Sequence, residues 1–396
     1  MTSHADADGS ARLRWVGVGQ SADPRSAHAG AEAAAAALAG RTDARLFVVF
    51  VSSAHDLTAL LDGIDAGDVP LIGCSTAGEI GADGPGDAGV VVMALGGDGF
   101  AVSTAAAPAA STRLRAAGAE VAACLERTPA RAHRTLLLLS DGLAGDQQEI
   151  VRGAYDVAGA SVPLVGGCAG DDLAMQATYQ LHGREVLHDA VVGAAIASDG
   201  PLGIGVHHGW RRVGEPVLVT GSEGNVVRSL NDRPALDVYL DRLAAPADAR
   251  ADAAAFTRFA LTHPLGLGRR GAEDHVRFIG EADFEQRSLG CIAEVPQGAV
   301  AWFMEGDSDS VLHATTAACD DALAPLGGDA PKGLLAFDCI ARRGVLGDDG
   351  IQVEVDHMRE TAPGVPVAGF YTYGEIARTR GISGFHNQTL VVLALG

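Results

Sequence analysis

One short motif occurs three times in this chain of 396 residues. Its copies are Val-Pro-Leu-Ile-Gly-Cys-Ser-Thr-Ala-Gly-Glu-Ile at 69–80, Val-Pro-Leu-Val-Gly-Gly-Cys-Ala-Gly-Asp-Asp at 162–172 and Val-Pro-Val-Ala-Gly-Phe-Tyr-Thr-Tyr-Gly-Glu-Ile at 365–376. Each copy follows an apolar run and a helix-like stretch, and each precedes another apolar run. The repetition predicts one supersecondary unit used three times, in the order strand, helix, strand, polar loop and strand. The three polar loops are then expected to converge on one place.

The apolar runs before the motifs contain no alternating polar residues. This pattern is typical of strands that are buried on both faces and lie inside a sheet. Strands outnumber helices, and successive strands are often close enough in the chain to pair antiparallel. We therefore predict an α/β (α+β) fold with mixed, largely antiparallel sheets and flanking helices. The runs concerned are Leu46–Val51, Leu136–Leu139 and Leu334–Phe337.

The length of the chain allows two or three domains. Residues 1–12 are polar and are expected to be a disordered N-terminus. Asn231-Asp232-Arg233-Pro234 is typical of the start of a helix, because it combines a capping side chain with an early proline. We therefore place a domain boundary near residue 230, between an N-terminal domain at 13–230 and a C-terminal domain at 231–396.

The composition restricts the classes of partner. A net charge of −21 argues against binding to nucleic acid or to an anionic membrane, and it favours neutral, zwitterionic or cationic ligands. The six cysteines are scattered, without a Cys-x-x-Cys pair, which is typical of a reduced protein. The sequence has no signal-peptide pattern and no apolar run of about 20 residues. These features predict a cytoplasmic protein.

The motif loops offer groups that suit a zwitterion. In the first loop, backbone N–H groups and small hydroxyls can receive a carboxylate, while Glu79 can receive an ammonium group. The third loop has the same order of residues with tyrosines added. An alternative is that the glycines only allow strands to cross and that Glu79 and Glu375 cap local turns. The candidate ligand-binding residues are Gly73, Cys74, Ser75, Thr76, Glu79, Asp171, Tyr371, Thr372, Tyr373, Glu375, His386 and Asn387.

Two other interpretations remain open. His207 and His208 point to opposite faces of a strand, and one imidazole could ligate haem iron, although a structural histidine is the more common case. The chain lacks the spacing of a structural zinc site or of covalent haem attachment. Ser75 or Cys74 could instead be a nucleophile, activated by a histidine such as His386.

Three passages resemble the FIST family, in the order of its N-terminal and C-terminal domains. They are residues 72–80, residues 208–214 with 231–236, and residues 369–376 with 385–393. The resemblance implies a sensory module for small ligands, with amino acids as the proposed class. It also implies, as an alternative, a haem-containing nitric oxide sensor that regulates a histidine kinase, with His208 as the axial ligand. Because no output domain is recognisable, we expect a non-catalytic sensor that signals through a separate partner protein, such as a histidine kinase.

Overall fold

The computed structural model describes residues 13–268, 274–379 and 384–396. Most of these residues form three repeats of one arrangement of strands and helices, and the third repeat contains a large insertion. The predicted disordered segment, residues 1–12, lies outside the described residues.

Each of the first two repeats starts with a strand that lies at the edge of its sheet. The first repeat contains β1 (Trp15–Ser21), α1 (Ser26–Leu38), β2 (Ala44–Val51), α2 (Leu57–Ile64), β3 (Leu71–Ser75), β4 (Glu79–Gly81), β5 (Gly84–Gly86) and β6 (Val90–Gly96). The second contains β7 (Phe100–Pro108), α3 (Leu114–Ala122), α4 (Cys124–Arg127), β8 (His133–Ser140), α5 (Gln147–Ala158), β9 (Leu164–Cys168), β10 (Tyr179–His182), β11 (Glu185–His188) and β12 (Ala190–Ser198).

The third repeat is interrupted after its first strand, β13 (Leu202–His207). The inserted elements are β14 (Arg211–Glu223), β15 (Val226–Leu230), β16 (Arg233–Pro234), α6 (Ala235–Arg242), α7 (Ala253–Leu261), β17 (Leu265–Leu267), β18 (His275–Arg277), β19 (Ile279–Asp283), β20 (Ser288–Cys291) and β21 (Val300–Glu305). The repeat then continues with α8 (Ser308–Leu323), β22 (Gly333–Cys339), α9 (Ile340–Thr361), β23 (Val367–Thr372), β24 (Glu375–Arg378), β25 (Phe385–His386) and β26 (Leu390–Leu395). Short 3-10 turns lie at Ala110–Thr112, Asp248–Arg250 and Ala324–Leu326.

The three repeats form three six-stranded sheets with the same strand order. These orders are β1-β6-β2-β3-β10-β11, β7-β12-β8-β9-β24-β25 and β13-β26-β22-β23-β4-β5. In each sheet the third and fourth strands are parallel, and the other neighbours are antiparallel. The last two strands of every sheet come from another repeat, so that each repeat completes the sheet of a neighbour. The insertion forms a separate sheet, β18-β17-β21-β14-β15-β20-β19, with β16 beside β15.

The sheets pack around one shared core and are covered on their outer faces by helices. Phe50, Leu137 and Phe370 come from different sheets and belong to the same buried cluster. The outer clusters are formed with α1 and α2 on the first sheet, with α3 and α5 on the second, and with α8 and α9 on the third. The apolar runs lack polar alternation because both faces of these central strands are covered.

The predicted fold class is confirmed, since the structure combines helices with mainly antiparallel sheets that contain parallel pairs. Gly73, Gly166 and Gly369 occupy equivalent positions, but they lie inside their strands rather than at the ends. The division near residue 230 stays a prediction, and that point falls inside the inserted sheet, between β15 and β16. Among the described residues, no helix has both the length and the apolar character needed to cross a membrane.

Candidate functional site

The three motif loops meet and hold one another through a closed ring of backbone hydrogen bonds. Each loop donates one backbone N–H group to a carbonyl oxygen of another loop: the first donates to the third, the second to the first and the third to the second. The bonds are Ala77 to Tyr371 at 3.0 Å, Gly170 to Ser75 at 3.0 Å and Tyr373 to Cys168 at 3.2 Å. The sequence-based expectation that these loops converge therefore agrees with the geometry.

The first and third loops also use their threonine and glutamate in the same way. Thr76 donates to Glu79 Oε1 at 2.5 Å, and the N–H of Gly89, just before β6, donates to Glu79 Oε2 at 3.0 Å. Thr372 donates to Glu375 Oε1 at 2.5 Å. Both carboxyl groups are completely buried. Each therefore ties a motif loop to its own repeat.

Thr389, just before β26, plays the part of Gly89 in the third repeat. Its N–H and its hydroxyl donate to Glu375 Oε2 at 3.1 and 2.7 Å. Burial raises the pKa of Glu79 to about 8, although the Thr76 and Gly89 hydrogen bonds oppose this shift. Burial likewise raises the pKa of Glu375 to about 7, against the hydrogen bonds from Thr372 and Thr389. Both carboxyl groups therefore lose their protons at a higher pH than an exposed glutamate does.

Ser75 and Cys74, the candidate nucleophiles, are also buried. The Ser75 hydroxyl donates to the Gly170 carbonyl at 2.7 Å and accepts the N–H of Tyr179 at 2.9 Å. Cys74 lies in the shared core, and burial raises the pKa of its thiol well above the usual value. The hydroxyl thus joins the loops of the first two repeats, while the thiol packs among apolar side chains.

The second loop is held by Asp171 and by a tyrosine of the third loop. Asp171 accepts the N–H groups of residues 175, 176 and 177 at 2.7 to 3.0 Å, and the Tyr373 hydroxyl also donates to it. Burial favours a raised pKa for Asp171, but these hydrogen bonds outweigh it and lower the pKa. Asp172, Leu173 and Met175 have positive φ angles, which are uncommon for residues with a side chain.

A pocket of about 440 Å³ opens beside the ring of loops, and all three repeats line it. We call it the three-repeat pocket. The first repeat supplies Ala77 and Asp87, the second supplies Asp172 and Leu173, and the third supplies Ile340 and Arg343. It therefore combines one cationic, two anionic and three apolar side chains.

Arg343 is held in this pocket by several contacts. Its Nη1 donates to the Ala77 carbonyl at 3.1 Å, its Nη2 is paired with Asp87, and its guanidinium lies 5.0 Å from the centroid of the Tyr371 ring. The side chain is 16% exposed, so part of it is accessible to a ligand. On the second repeat's side of the pocket, Asp172 accepts a hydrogen bond from Ser52 at 3.3 Å.

The neighbouring residue, Arg342, is fully buried in a charged cluster beneath the pocket. It donates to Asp338 at 2.7 Å, to Glu354 at 2.6 Å and to the His208 carbonyl at 3.1 Å. Burial and the nearby Glu354 raise the pKa of Asp338 well above its usual value. The Tyr371 hydroxyl is buried without a hydrogen-bond partner among the described residues. Helix α9, which breaks at Gly347, thus contributes both to the pocket and to a buried ionic cluster.

The candidate histidines lie elsewhere. His386 is buried and contacts the Ala377 carbonyl at 3.1 Å, and Asn387, next to it, is 2% exposed. His208 accepts the N–H of Trp210 through Nδ1 at 2.9 Å, and His207 lies 2.9 Å from Asp321. Within the described ranges, no group of three histidine, cysteine or acidic side chains is placed to hold a metal ion. The haem alternative stays a prediction.

None of the twelve candidate ligand-binding residues predicted from the sequence lines this pocket, although the pocket lies beside the motif loops. Only Ala77 and Asp172 belong to copies of the motif, whereas four lining residues do not: Asp87, Leu173, Ile340 and Arg343. The available signal was the Arg342-Arg343 pair, which follows the third apolar run after four residues in a strongly acidic chain. Arginine next to a buried strand end is a common choice where a carboxylate must be recognised.

Comparison with known proteins finds two family models and several relatives. A model of the FIST N domain matches residues 45–233, and a model of the FIST C domain matches residues 235–378. An uncharacterised protein of Mycobacterium tuberculosis strain H37Rv is 29% identical over 404 residues, which cover 94% of this chain and 97% of that protein. An uncharacterised protein of Methanocaldococcus jannaschii is 27% identical over 251 residues, or 58% of this chain and 48% of that protein. A solved cyanuric acid hydrolase from A. caulinodans aligns with 48% of this chain and 72% of its own at 13% identity, with a TM-score of only 0.27.

Proposed function

Because the chain belongs to the FIST family of sensory domains, we propose that it is a sensor for a small, amino-acid-like molecule. The proposed binding site is the three-repeat pocket. The observation that carries this proposal is the presence of Arg343 beside Asp87 and Asp172 in one cavity that all three repeats build. A site with both kinds of charge can bind the carboxylate and the ammonium group of one zwitterion.

Each wall of the pocket has a role in this proposal. Arg343 has N–H groups beyond those bound to Ala77 and Asp87, and they suit a ligand carboxylate. The carboxylate of Asp172 suits an ammonium group, while Leu173 and Ile340 offer an apolar surface for a side chain. A volume of about 440 Å³ lies within the range of about 300–1,000 Å³ that is common for small-molecule sites.

Glu79 and Glu375 have a different role in this proposal from the one that the sequence suggested. Their oxygens already accept hydrogen bonds from the chain, and both groups are fully buried. We therefore assign them to holding the loops around the pocket. The proposal includes no catalytic step, because the Ser75 hydroxyl and the Cys74 thiol are enclosed in contacts of the fold.

The signal is proposed to pass to a separate protein, such as a histidine kinase. Helix α9 offers a route, since Arg343 lines the pocket and Arg342 contacts the carbonyl of His208, next to the inserted sheet. A ligand that displaces Arg343 would therefore also act on the start of the insertion. The insertion is the part of the molecule without a counterpart in the other two repeats.

The test is a thermal-shift panel of the free amino acids at millimolar concentration, with the matching amines and N-acetyl amino acids as controls. A ligand at 100 times its dissociation constant stabilises the folded state by about 2.7 kcal/mol. We expect at least one amino acid to raise the melting temperature. The corresponding amine and N-acetyl compound should not, because each lacks one of the two charges.

Two variants locate the site. Arg343→Gln and Asp172→Asn should abolish the shift. Arg359→Gln is the matched control, because Arg359 also bonds loop carbonyls of the first repeat and pairs with an aspartate, but it lies outside the pocket. The proposal is wrong if no amino acid changes the melting temperature, or if the response survives in both pocket variants.

A further inference from the structure

A second cavity lies where the second repeat meets the third, at the opposite ends of the central strands from the three-repeat pocket. It has a volume of about 980 Å³, and we call it the junction pocket. Val162 and Pro163, which precede β9, line it together with Leu202 and Ile204 of β13. These residues give it an apolar wall. Its polar lining includes the hydroxyl residues Thr135, Tyr155 and Ser161, and also His133 and Arg378.

Arg378, at the end of β24, is the cation of this pocket. Its guanidinium stacks over the ring of Tyr155, and its Nη1 is buried without a hydrogen-bond partner among the described residues. The described residues that line the pocket include no aspartate or glutamate. A buried N–H donor without an acceptor is costly, so this group favours an external acceptor. The chain has a net charge of −21, yet no aspartate or glutamate in the described ranges forms an ion pair with Arg378.

The molecule contains its own comparison for this arrangement. At the equivalent junction between the first and second repeats, a cavity of about 730 Å³ is lined by Val69 and Pro70, the counterparts of Val162 and Pro163. Here the arginines have partners within the chain. Arg45 pairs with Asp98 at 2.6 Å, and Arg131 donates to the Asp98 carbonyl at 2.9 Å. The same place in the fold is thus neutralised at one junction and left cationic at the other.

We propose that the junction pocket binds a small organic acid, with its anionic group on Arg378 and its apolar body against Leu202 and Ile204. A guanidinium that is fixed by stacking is suited to a carboxylate or a phosphate monoester, because it presents parallel N–H donors. The Thr135 hydroxyl is neutral, and it already donates to the Pro163 carbonyl at 3.1 Å. Arg378 therefore determines the preference for anions.

The experiment titrates the full chain with benzoate, phenyl phosphate, inorganic phosphate and benzyl alcohol, followed by isothermal calorimetry and by ligand-observed NMR. Benzoate or phenyl phosphate should bind more tightly than the other two, which lack either the apolar body or the charge. Arg378→Gln should weaken this binding about 10- to 100-fold, as expected for the loss of a hydrogen bond to a charged group. Arg378→Lys, which keeps the charge but not the parallel donors, should fall between the two.

Arg45→Gln, at the equivalent junction, is the matched control and should leave the binding of benzoate and phenyl phosphate unchanged. Far-UV circular dichroism and the melting temperature establish that Arg378→Gln is folded. The inference is overturned if neither organic acid binds, if benzyl alcohol or inorganic phosphate binds equally well, or if Arg378→Gln binds like the wild type. It stands independently of the sensor proposal, because Arg378→Gln should retain any amino-acid response of the three-repeat pocket.

Discussion

The two buried glutamates should make the stability of this protein fall as the pH rises above neutrality. Glu79 and Glu375 have pKa values of about 8 and about 7 in the folded protein, against an ordinary value of 4.5. The folded state therefore holds protons that the unfolded chain has already lost. This stabilisation is fully present below about pH 4.5 and disappears as the pH passes through 7 and 8.

The size of the effect follows from these pKa values. Between pH 6 and pH 9, loss of the proton from Glu79 should lower the free energy of unfolding by about 3 kcal/mol, and that from Glu375 by about 1 kcal/mol. Both side chains are completely buried, so solvent does not screen the effect. The two together should cost about 4 kcal/mol.

Glutamine at both positions should remove this pH dependence while keeping the hydrogen bonds. In Glu79→Gln the amide oxygen can accept from Gly89, and the amide nitrogen can donate to the Thr76 hydroxyl. In Glu375→Gln the oxygen can accept from Thr389 and the nitrogen can donate to Thr372. We expect the double variant to be at least as stable as the wild type at pH 9.

The assay is urea unfolding of both proteins at pH 6, 7, 8 and 9, followed by circular dichroism. The difference in unfolding free energy between the wild type and the double variant should change by about 4 kcal/mol across this range. Glu120→Gln, which alters an exposed carboxylate paired with Arg113, should run parallel to the wild type. Parallel curves for the wild type and the double variant would refute the reasoning, because the glutamates would then titrate alike in the folded and unfolded chains.

Two further predictions concern stability and use the same urea assay. Gly369→Ala should destabilise the fold by about 1–3 kcal/mol or more, because the new Cβ would lie 2.1 Å from the Ala336 carbonyl oxygen. Gly280→Ala should cost less, because its new Cβ would meet no atom closer than 3.4 Å. Equal effects would show that the close approach of the neighbouring strand does not require glycine at position 369. Arg342→Met should cost about 3–5 kcal/mol, because it leaves Asp338 and Glu354 buried without their cation. Arg113→Met, at a partly exposed ion pair, should cost less than about 1 kcal/mol, and a similar loss in both variants would contradict the assigned role of the buried cluster.

The sequence predicted the repeats because their information is local. The apolar runs and the motif glycines pair with each other inside one repeat. Gly73, Gly166 and Gly369 lie directly opposite Val49, Leu138 and Ala336 on the neighbouring strand. The convergence of the loops also followed from the repetition itself. These features depend on patterns that are local in the sequence and can therefore be recognised without the structure.

Two features could not be predicted in this way. One is the exchange of hairpins, in which β4–β5, β10–β11 and β24–β25 each complete the sheet of another repeat. The other is the position of the pocket. Glu79 pairs across the sheet with Phe370, and Glu375 with Gly167, at sequence separations that no periodicity reveals. A glutamate directly after a glycine in a loop looks the same in the sequence whether its oxygens face a ligand or the chain. Its burial against Gly89 or Thr389 decides that question, and burial is a property of the assembled repeats. Arg343 enters the site for the same reason.

The exchanged hairpins have a consequence for synthesis of the chain. The β4–β5 hairpin leaves the ribosome early, but its partner β23 begins only at Val367, almost 300 residues later. At about 5–20 residues per second, the hairpin must wait roughly 15 to 60 s for its partner. During that time β9 also exposes an edge that β24 will cover. Unpaired strand edges are prone to aggregation, so the nascent chain should depend on chaperones until β23 and β24 emerge, and truncation after the second repeat should yield an insoluble product.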